Sequence, residues 1–216
     1  MAARSGRWYL KIRNHRVEIR YNGAGAAALQ LRFQRPFMIA ILVLFLAALS
    51  RLIPHLLHNV AYNFTAVGAG LLYFGSKRPR WQVVLAVAVM GLMDVYLTTQ
   101  VYGYAFQLRG YLVTWVWYAV VCLLGSGLLR RITLGRVIAG VLASSTSFFL
   151  ASNFMVWLSS GMYPHSVAGL ASCYAAAVPF YGNDLISTAF FAGVFFGVPA
   201  WYRQPRDRHM VFISKA

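Results

Sequence analysis

Acidic residues are scarce in this sequence. The chain of 216 residues contains only four Asp and Glu, against 20 Lys and Arg, and 11% of its residues are charged. A soluble domain usually has about 25% charged residues. With 60% hydrophobic residues and a mean hydropathy of +0.60, this composition excludes an ordinary soluble domain and indicates an integral membrane protein. The net charge of +16 is then expected to flank membrane spans, and nucleic acid is not an expected partner.

Cysteine is equally rare, because the chain has only Cys122 and Cys173. Both lie in apolar sequence, which excludes a disulfide framework and a cysteine-based zinc site. The sequence also lacks a phosphate-binding glycine loop, a nucleophile elbow and a metalloprotease helix. His55 and His58 are three residues apart and could share one face of a turn, but a metal needs further ligands. We therefore predict no metal site and no enzyme activity, and the sequence identifies no cofactor.

Long apolar segments, in contrast, are frequent. A helix needs about 20 mostly apolar residues to cross a membrane, and six segments approach that length. The predicted spans cover residues 37–53, 61–75, 81–99, 111–129, 137–158 and 185–201. The second is the shortest and contains Asn63. These segments predict an all-α membrane protein with six transmembrane helices over residues 37–202, between a basic N-terminal arm (1–36) and a basic tail (203–216).

The distribution of Lys and Arg predicts how these spans are oriented. All of them lie in the two terminal segments or in the connections at 77–80 and 130–136, except Arg51 and Arg109. The cytoplasmic side of a membrane protein carries the excess of Lys and Arg. We therefore predict a multi-pass protein of the cell inner membrane, surrounded by membrane lipid, with both termini in the cytoplasm.

The N-terminal arm has a different pattern. In "RWYLKIRNHRVEIRYN", apolar residues alternate with polar ones on either side of Asn14-His15. A period of two is typical of strands, so the pattern predicts a small β-hairpin. Its basic side chains would bind anionic lipid headgroups, and binding of a soluble partner is the alternative.

The connection between the fifth and sixth spans is unusual in composition. Residues 159–183 contain no Lys or Arg and many apolar residues. Such a segment would not lie bare in water, and irregular backbone near the membrane is tolerated where protein buries it. We predict that it forms a cap over the outer helix ends, with Trp157, Tyr163 and Tyr174 turned inward.

Polar groups within the spans are the candidate functional residues, because burying them in a membrane is costly. Asp94 follows a long apolar run near the outer end of the third span. It is either an interfacial carboxylate, paired with Arg51 or Arg109, or part of a ligand site.

The outer ends of the other spans add aromatic and hydrogen-bonding side chains. Aromatic walls with a few aimed polar groups suit a small amphipathic ligand. The candidate ligand-binding residues are Arg51, His55, Asn63, Asp94, Asn153, Trp157, Tyr163, Cys173 and Tyr174. As alternatives, the aromatic residues form an interfacial belt and Cys173 packs as a small apolar residue.

A series of short motifs accompanies these residues. They are RLIPH at 51–55, NFT at 63–65, Asp94, NFMVW at 153–157, YP at 163–164, GL at 169–170, CY at 173–174 and PF at 179–180. With these motifs, residues 37–200 resemble a domain-of-unknown-function family of small six-span bacterial membrane proteins. That family has a further Asp in its sixth span, where this chain has Thr188 and, earlier, Asp184.

The layout of that family is similar to the S component of energy-coupling-factor vitamin transporters. The resemblance implies six helices with both ends inside and an outward-facing pocket under the first and last outer loops. The Ala-x-x-x-Ala motif, by which such components dock on their coupling subunit, is missing from "FMIAILVLFLAALS" in the first span. A solitary protein or a different partner is therefore favoured.

From these observations the sequence predicts a substrate-binding transport protein for a small, amphipathic, vitamin-like molecule. That function requires a cavity lined by Asp94, Asn153, Trp157 and Tyr174. The alternative is a structural or accessory subunit of a larger membrane complex, in which these positions pack solidly and partner subunits cover an apolar face. A membrane enzyme is the third hypothesis.

Overall fold

Six helices make up most of the computed structural model, which describes residues 6–12, 15–21, 37–57 and 63–199. The helices are α1 (Phe37–Leu56), α2 (Val67–Lys77), α3 (Val83–Tyr96), α4 (Leu108–Leu128), α5 (Leu134–Ser159) and α6 (Val167–Ala192). A 3-10 turn at Ser50–Leu52 lies inside α1, and another at Arg80–Gln82 precedes α3. Wider π turns at Leu97–Val101 and Gly193–Gly197 extend α3 and α6.

Several of these helices can cross a membrane, so the chain is a multi-pass membrane protein. Within the described ranges, the helices long and apolar enough to do so are Phe37–Leu56, Arg80–Val101, Leu108–Leu128 and Leu134–Ser159. The second predicted span corresponds to α2, which has 11 residues. At 1.5 Å per residue it is only about 16 Å long, about half the hydrocarbon thickness. The count of six spans therefore stays a prediction.

Helix α2 is the centre of the core. Every residue from Val67 to Gly75 is buried, so neighbouring helices shield this short segment on all sides. Glycines bring the backbones together: Gly75 lies against the Cys122 carbonyl group, and Gly125 in α4 lies against that of Leu72. Small residues allow this close approach between helices in membranes.

Helices α5 and α6 form an antiparallel pair along much of their length. The Tyr174 hydroxyl donates to the Leu150 carbonyl oxygen at 2.8 Å. Farther along α6, the Tyr181 hydroxyl lies 3.0 Å from the hydroxyl oxygen of Thr146. The residue numbers rise on one helix as they fall on the other, so α6 returns across the same depth as α5.

The prediction of a cap over residues 159–183 is wrong, because α6 begins at Val167 and not near residue 185. Ser166 caps the new helix by accepting a hydrogen bond from the Gly169 amide at 3.1 Å. Polar residues of this segment can form hydrogen bonds within the helix. Ser172, for example, donates to the Ala168 carbonyl at 2.9 Å. Pro179 lies inside it, as membrane helices tolerate.

The N-terminal segment contains two strands, Gly6–Ile12 and His15–Tyr21, which pair antiparallel with Leu10 opposite Val17. The prediction that this arm binds lipid or a partner stays a prediction. The tail 203–216 and His58 lie outside the described residues.

Candidate ligand-binding site

A buried ion pair joins three helices near the end of α3. Asp94 is 1% exposed, and the guanidinium group of Arg51 contacts its Oδ1 atom. Trp115 Nε1 donates to Asp94 Oδ2 at 2.8 Å, and the Tyr118 hydroxyl donates to Oδ1 at 3.4 Å. Of the two predicted pairings, the structure therefore forms the one with Arg51. Because both carboxylate oxygens accept hydrogen bonds, the cost of burying this charge is offset within the protein.

Aromatic and hydroxyl groups cover the ion pair. Thr98 donates to the Asp94 carbonyl oxygen at 2.7 Å, and its hydroxyl also contacts that of Tyr111. The Phe106 ring stacks on Tyr111 with ring centres 5.0 Å apart, and on Trp115 at 6.3 Å. This cover fixes the side chains around Asp94 in one arrangement.

Next to the ion pair lies a cavity of about 180 Å³, which we call the ion-pair cavity. Its lining residues are Arg51, Asn63, Thr65, Val67, Asp94, Tyr111, Thr114, Trp117, Tyr118, Phe148 and Asp184. The lining combines hydroxyl groups and aromatic rings with the Arg51–Asp94 pair, so it can make directed hydrogen bonds to a bound molecule.

A second cavity of about 200 Å³, the Asp184 cavity, lies beside the first. Its lining residues are Asn63, Ser145, Phe148, Phe149, Ser152, Asn153, Phe180, Tyr181 and Asp184. Asn63, Phe148 and Asp184 line both cavities. The two spaces therefore adjoin at these residues, and one molecule could occupy both.

Asp184 differs from Asp94 in its surroundings. It is 8% exposed, and Ser145 in α5, which lines the same cavity, has a buried hydroxyl group with no hydrogen-bond partner among the described residues. Among the described residues, neither cavity places a Lys, Arg or His beside it except Arg51, whose ion pair is with Asp94. A buried carboxylate with no cation is costly, so this position is the unusual feature of the site.

Buried hydroxyl groups continue the polar interior beyond Asp184. The side chains of Ser144 and Thr188 are 1% and 0% exposed, and neither hydroxyl has a hydrogen-bond partner in the described part of the chain. Both face Gly68 in α2, where an added β carbon would lie 2.7 Å from Ser144 Oγ and 3.0 Å from Thr188 Oγ1. The polar interior therefore extends from Asp184 to the centre of the bundle.

The structure brings four of the nine predicted ligand-binding residues to the cavities. Arg51, Asn63 and Asp94 line the ion-pair cavity, and Asn63 and Asn153 line the Asp184 cavity. Asn63 has a left-handed backbone with φ of 60°, which Asn tolerates better than most residues. This turn precedes α2 and places Asn63 where the two cavities meet.

The other five predicted residues lie elsewhere. Trp157 Nε1 donates to the Pro164 carbonyl at 2.9 Å, and Tyr174 bonds to the backbone of α5. The Cys173 thiol donates to the Asn153 carbonyl at 3.4 Å. His55 contacts the Tyr102 ring edge-on, and Tyr163 lies in the short connection at residues 160–166. None of the five lines either cavity.

Sequence analysis did not identify Asp184, Trp115 and Tyr118 as site residues. Asp184 lies between the predicted cap (159–183) and the predicted sixth span (185–201), although it is one of only two acidic residues between positions 37 and 200. Trp115 and Tyr118 are three residues apart, with Tyr111 four before Trp115, and so share one face of a helix. That stripe of aromatic donors was a usable signal for a polar partner.

A metal ion requires several His, Cys, Asp or Glu ligands close together. Within residues 37–57 and 63–199, no three His, Cys, Asp or Glu side chains come close enough together to hold a metal ion. The site instead offers two carboxylates, several hydroxyl groups and aromatic rings, which are groups that bind organic molecules.

Comparison with known proteins gives a family assignment. No curated protein matches this chain. No solved structure matches it. Residues 31–210 match a family described as "Family of unknown function (DUF6580)". Since this match covers most of the sequence, the chain belongs to the DUF6580 family.

Proposed function

We propose that this protein is an integral membrane protein that binds and transports a small amphipathic, vitamin-like molecule. The observation that carries this proposal is the pair of adjoining cavities, which meet at Asn63, Phe148 and Asp184. Ligand sites typically combine aromatic walls with a few directed polar groups. The bound molecule would contact rings in the Asp184 cavity and hydroxyl groups in the ion-pair cavity.

The proposal includes six membrane spans in an S-component-like bundle, with both termini in the cytoplasm of a bacterial cell. Helix α6 has 26 residues and is about 39 Å long at 1.5 Å per residue. By length alone, it is long enough to cross a membrane. The positions of Lys and Arg support the orientation, because only Arg51 and Arg109 lie on the opposite side of this topology. The cavities would then open toward the outside.

Accessory-subunit function is the alternative, and it requires the candidate positions to be packed solidly. Trp157 and Tyr174 are engaged by backbone carbonyl groups, as that hypothesis expects. The space around Asn153 and Asp184 is not filled by side chains, which favours ligand binding. Since the Ala-x-x-x-Ala motif is missing from the first span, we propose a solitary protein or a partner other than the usual coupling subunit.

A cysteine-labelling experiment tests the proposed topology. Arg80→Cys and Thr133→Cys should label only from the cytoplasmic side, and Tyr104→Cys and Met162→Cys only from outside. Tyr104 and Met162 are exposed, and the two native cysteines are buried, so background labelling should be low. Labelling of position 80 or 133 in intact cells by an impermeant reagent would contradict six spans with internal termini.

Native mass spectrometry of the gently purified protein tests ligand binding itself. We expect the wild-type protein to retain an organic molecule, and Ser152→Phe to lose it, because Ser152 lines the Asp184 cavity. Ser159→Phe is the matched control. Ser159 lies on the same helix, donates to the carbonyl four residues earlier as Ser152 does, and is exposed.

The control should retain the molecule as wild type does. An equal amount of the bound molecule in Ser152→Phe and in wild type would contradict binding in this cavity. Co-purification of a stoichiometric protein subunit, with no small molecule, would favour the accessory-subunit alternative.

A further inference from the structure

The two buried carboxylates of the site are not equivalent as ligand-binding groups. Asp94 already accepts hydrogen bonds from Arg51, Trp115 and Tyr118, so its charge is balanced within the protein. Among the described residues, no Lys, Arg or His lines the Asp184 cavity, and no ion pair joins the Asp184 carboxylate to one of them. The Asp184 carboxylate can therefore form an ion pair with a cation, and none of the described residues supplies that cation.

Two polar residues that line the Asp184 cavity donate their hydrogen bonds to their own helix. Ser152 donates its hydroxyl hydrogen to the Phe148 carbonyl at 2.7 Å. The amide nitrogen of Asn153 donates to the Phe149 carbonyl at 2.8 Å. With these donors bound to their own helix, the Ser152 and Asn153 oxygen atoms remain as acceptors beside the Asp184 carboxylate. A cavity of this kind favours a cation over an anion.

Aromatic rings surround the same space. Phe148, Phe149, Phe180 and Tyr181 all line the Asp184 cavity, and the rings of Phe149 and Tyr181 pack with centres 4.9 Å apart. The Tyr181 hydroxyl is held 3.0 Å from that of Thr146, which fixes its ring. The faces of aromatic rings attract cations, and cages of such rings are a common way to bind ammonium groups.

The size of the space distinguishes an organic cation from a metal ion. A hard metal cation requires about six oxygen ligands at about 2.0–2.6 Å, whereas this cavity measures about 200 Å³ and much of its wall is aromatic. A substituted ammonium group fills such a space and contacts both the rings and the carboxylate.

We infer that the molecule bound by this protein is an organic cation, and that Asp184, within the rings of Phe148, Phe149 and Tyr181, receives its ammonium group. This inference rests on the proposed function and adds the chemical class of the ligand. The remainder of the molecule would extend past Asn63 into the ion-pair cavity.

Choline and its uncharged carbon isostere, 3,3-dimethyl-1-butanol, test the inference on the purified full-length protein. We expect millimolar choline to raise the melting temperature of the wild-type protein and the isostere to leave it unchanged. In Asp184→Asn the response to choline should require on the order of tenfold more choline. Asp184→Glu, which keeps the charge, should retain part of the response.

Three results would overturn the inference: an equal response to choline and to the isostere, an unchanged choline response in Asp184→Asn, or no response to choline. The first would leave the proposed function standing, because an uncharged molecule would still occupy the cavity. The proposed function is tested separately by native mass spectrometry. If Ser152→Phe retains as much bound molecule as wild type, binding in this cavity is contradicted, whatever the charge of the molecule. If Asp184→Asn does not fold, the wild-type protein alone still tests the inference, because only a cation site responds to choline and not to its isostere.

Discussion

Replacing Arg51 with Met is expected to lower the free energy of unfolding by about 3–5 kcal/mol, because Asp94 then stays buried without its cation. The Asp94 side chain is fully enclosed, whereas that of Arg51 is 22% exposed. Asp94→Asn should therefore cost less than Arg51→Met, since the partner left behind can still reach water. Thermal and denaturant unfolding in detergent would measure both values.

The double variant Arg51→Met, Asp94→Asn should recover part of the loss, because it removes both charges together. Arg109→Met is the matched control. Arg109 is the other Arg of the predicted outer side and is exposed at the start of α4, so its loss should change stability by less than about 0.5 kcal/mol. Equal effects of Arg51→Met and Arg109→Met, or strictly additive effects in the double variant, would contradict a stabilising buried pair.

Substituting Gly125 with Ala is expected to destabilise the bundle by about 3 kcal/mol, the upper end of the usual cost of overpacking. The added β carbon would overlap the carbonyl group of Leu72 in α2. Backbone atoms cannot rotate away as a side chain can, so the two helices would have to separate. The same reasoning applies to Gly75, which meets the Cys122 carbonyl.

Gly127→Ala provides the control on the same helix. Gly127 lies two residues farther along α4, and no atom lies within 4 Å of its added β carbon. Its substitution should therefore leave the melting temperature nearly unchanged. A Gly125→Ala protein as stable as Gly127→Ala would show that α2 and α4 do not pack through direct backbone contact.

Much of the helical framework could be predicted from hydropathy alone. The predicted spans at 81–99, 111–129 and 137–158 correspond closely to Arg80–Val101, Leu108–Leu128 and Leu134–Ser159. These segments are apolar on most sides, so their composition determines where they start and stop. For α2, hydropathy predicted a short apolar segment but not its central position, which depends on close contacts with other helices.

Helix α6 shows where hydropathy is insufficient. Its first half contains Ser172 and Pro179, which suggested an irregular segment. The helix continues through this segment: the Ser172 hydroxyl group bonds to a backbone carbonyl in its own helix, and Tyr174 bonds across to α5. The Tyr174 bond is a tertiary contact, so residue composition alone favoured the wrong structure.

The sequence identified the charged residues of the ion pair as candidate site residues. Asp94 and Arg51 are charged residues at the ends of apolar segments, and the cost of burying a carboxylate alone predicted a pairing of Asp94 with Arg51 or Arg109, or a ligand site. Asp184 has the same chemistry but lies between the predicted cap and the predicted sixth span, so the error in the start of α6 carried over to the site. The aromatic residues Phe148 and Tyr181 gave no sequence signal, because aromatic rings are common throughout the chain.

A density map of the protein, purified from its native membrane without added ligand, would test the central claim most directly. We predict density for one organic molecule that lies across both cavities, with its cationic group at Asp184 and its other end toward the Arg51–Asp94 pair. Side chains closing over the space between Asn63, Phe148 and Asp184, with no bound molecule, would contradict a ligand-binding function.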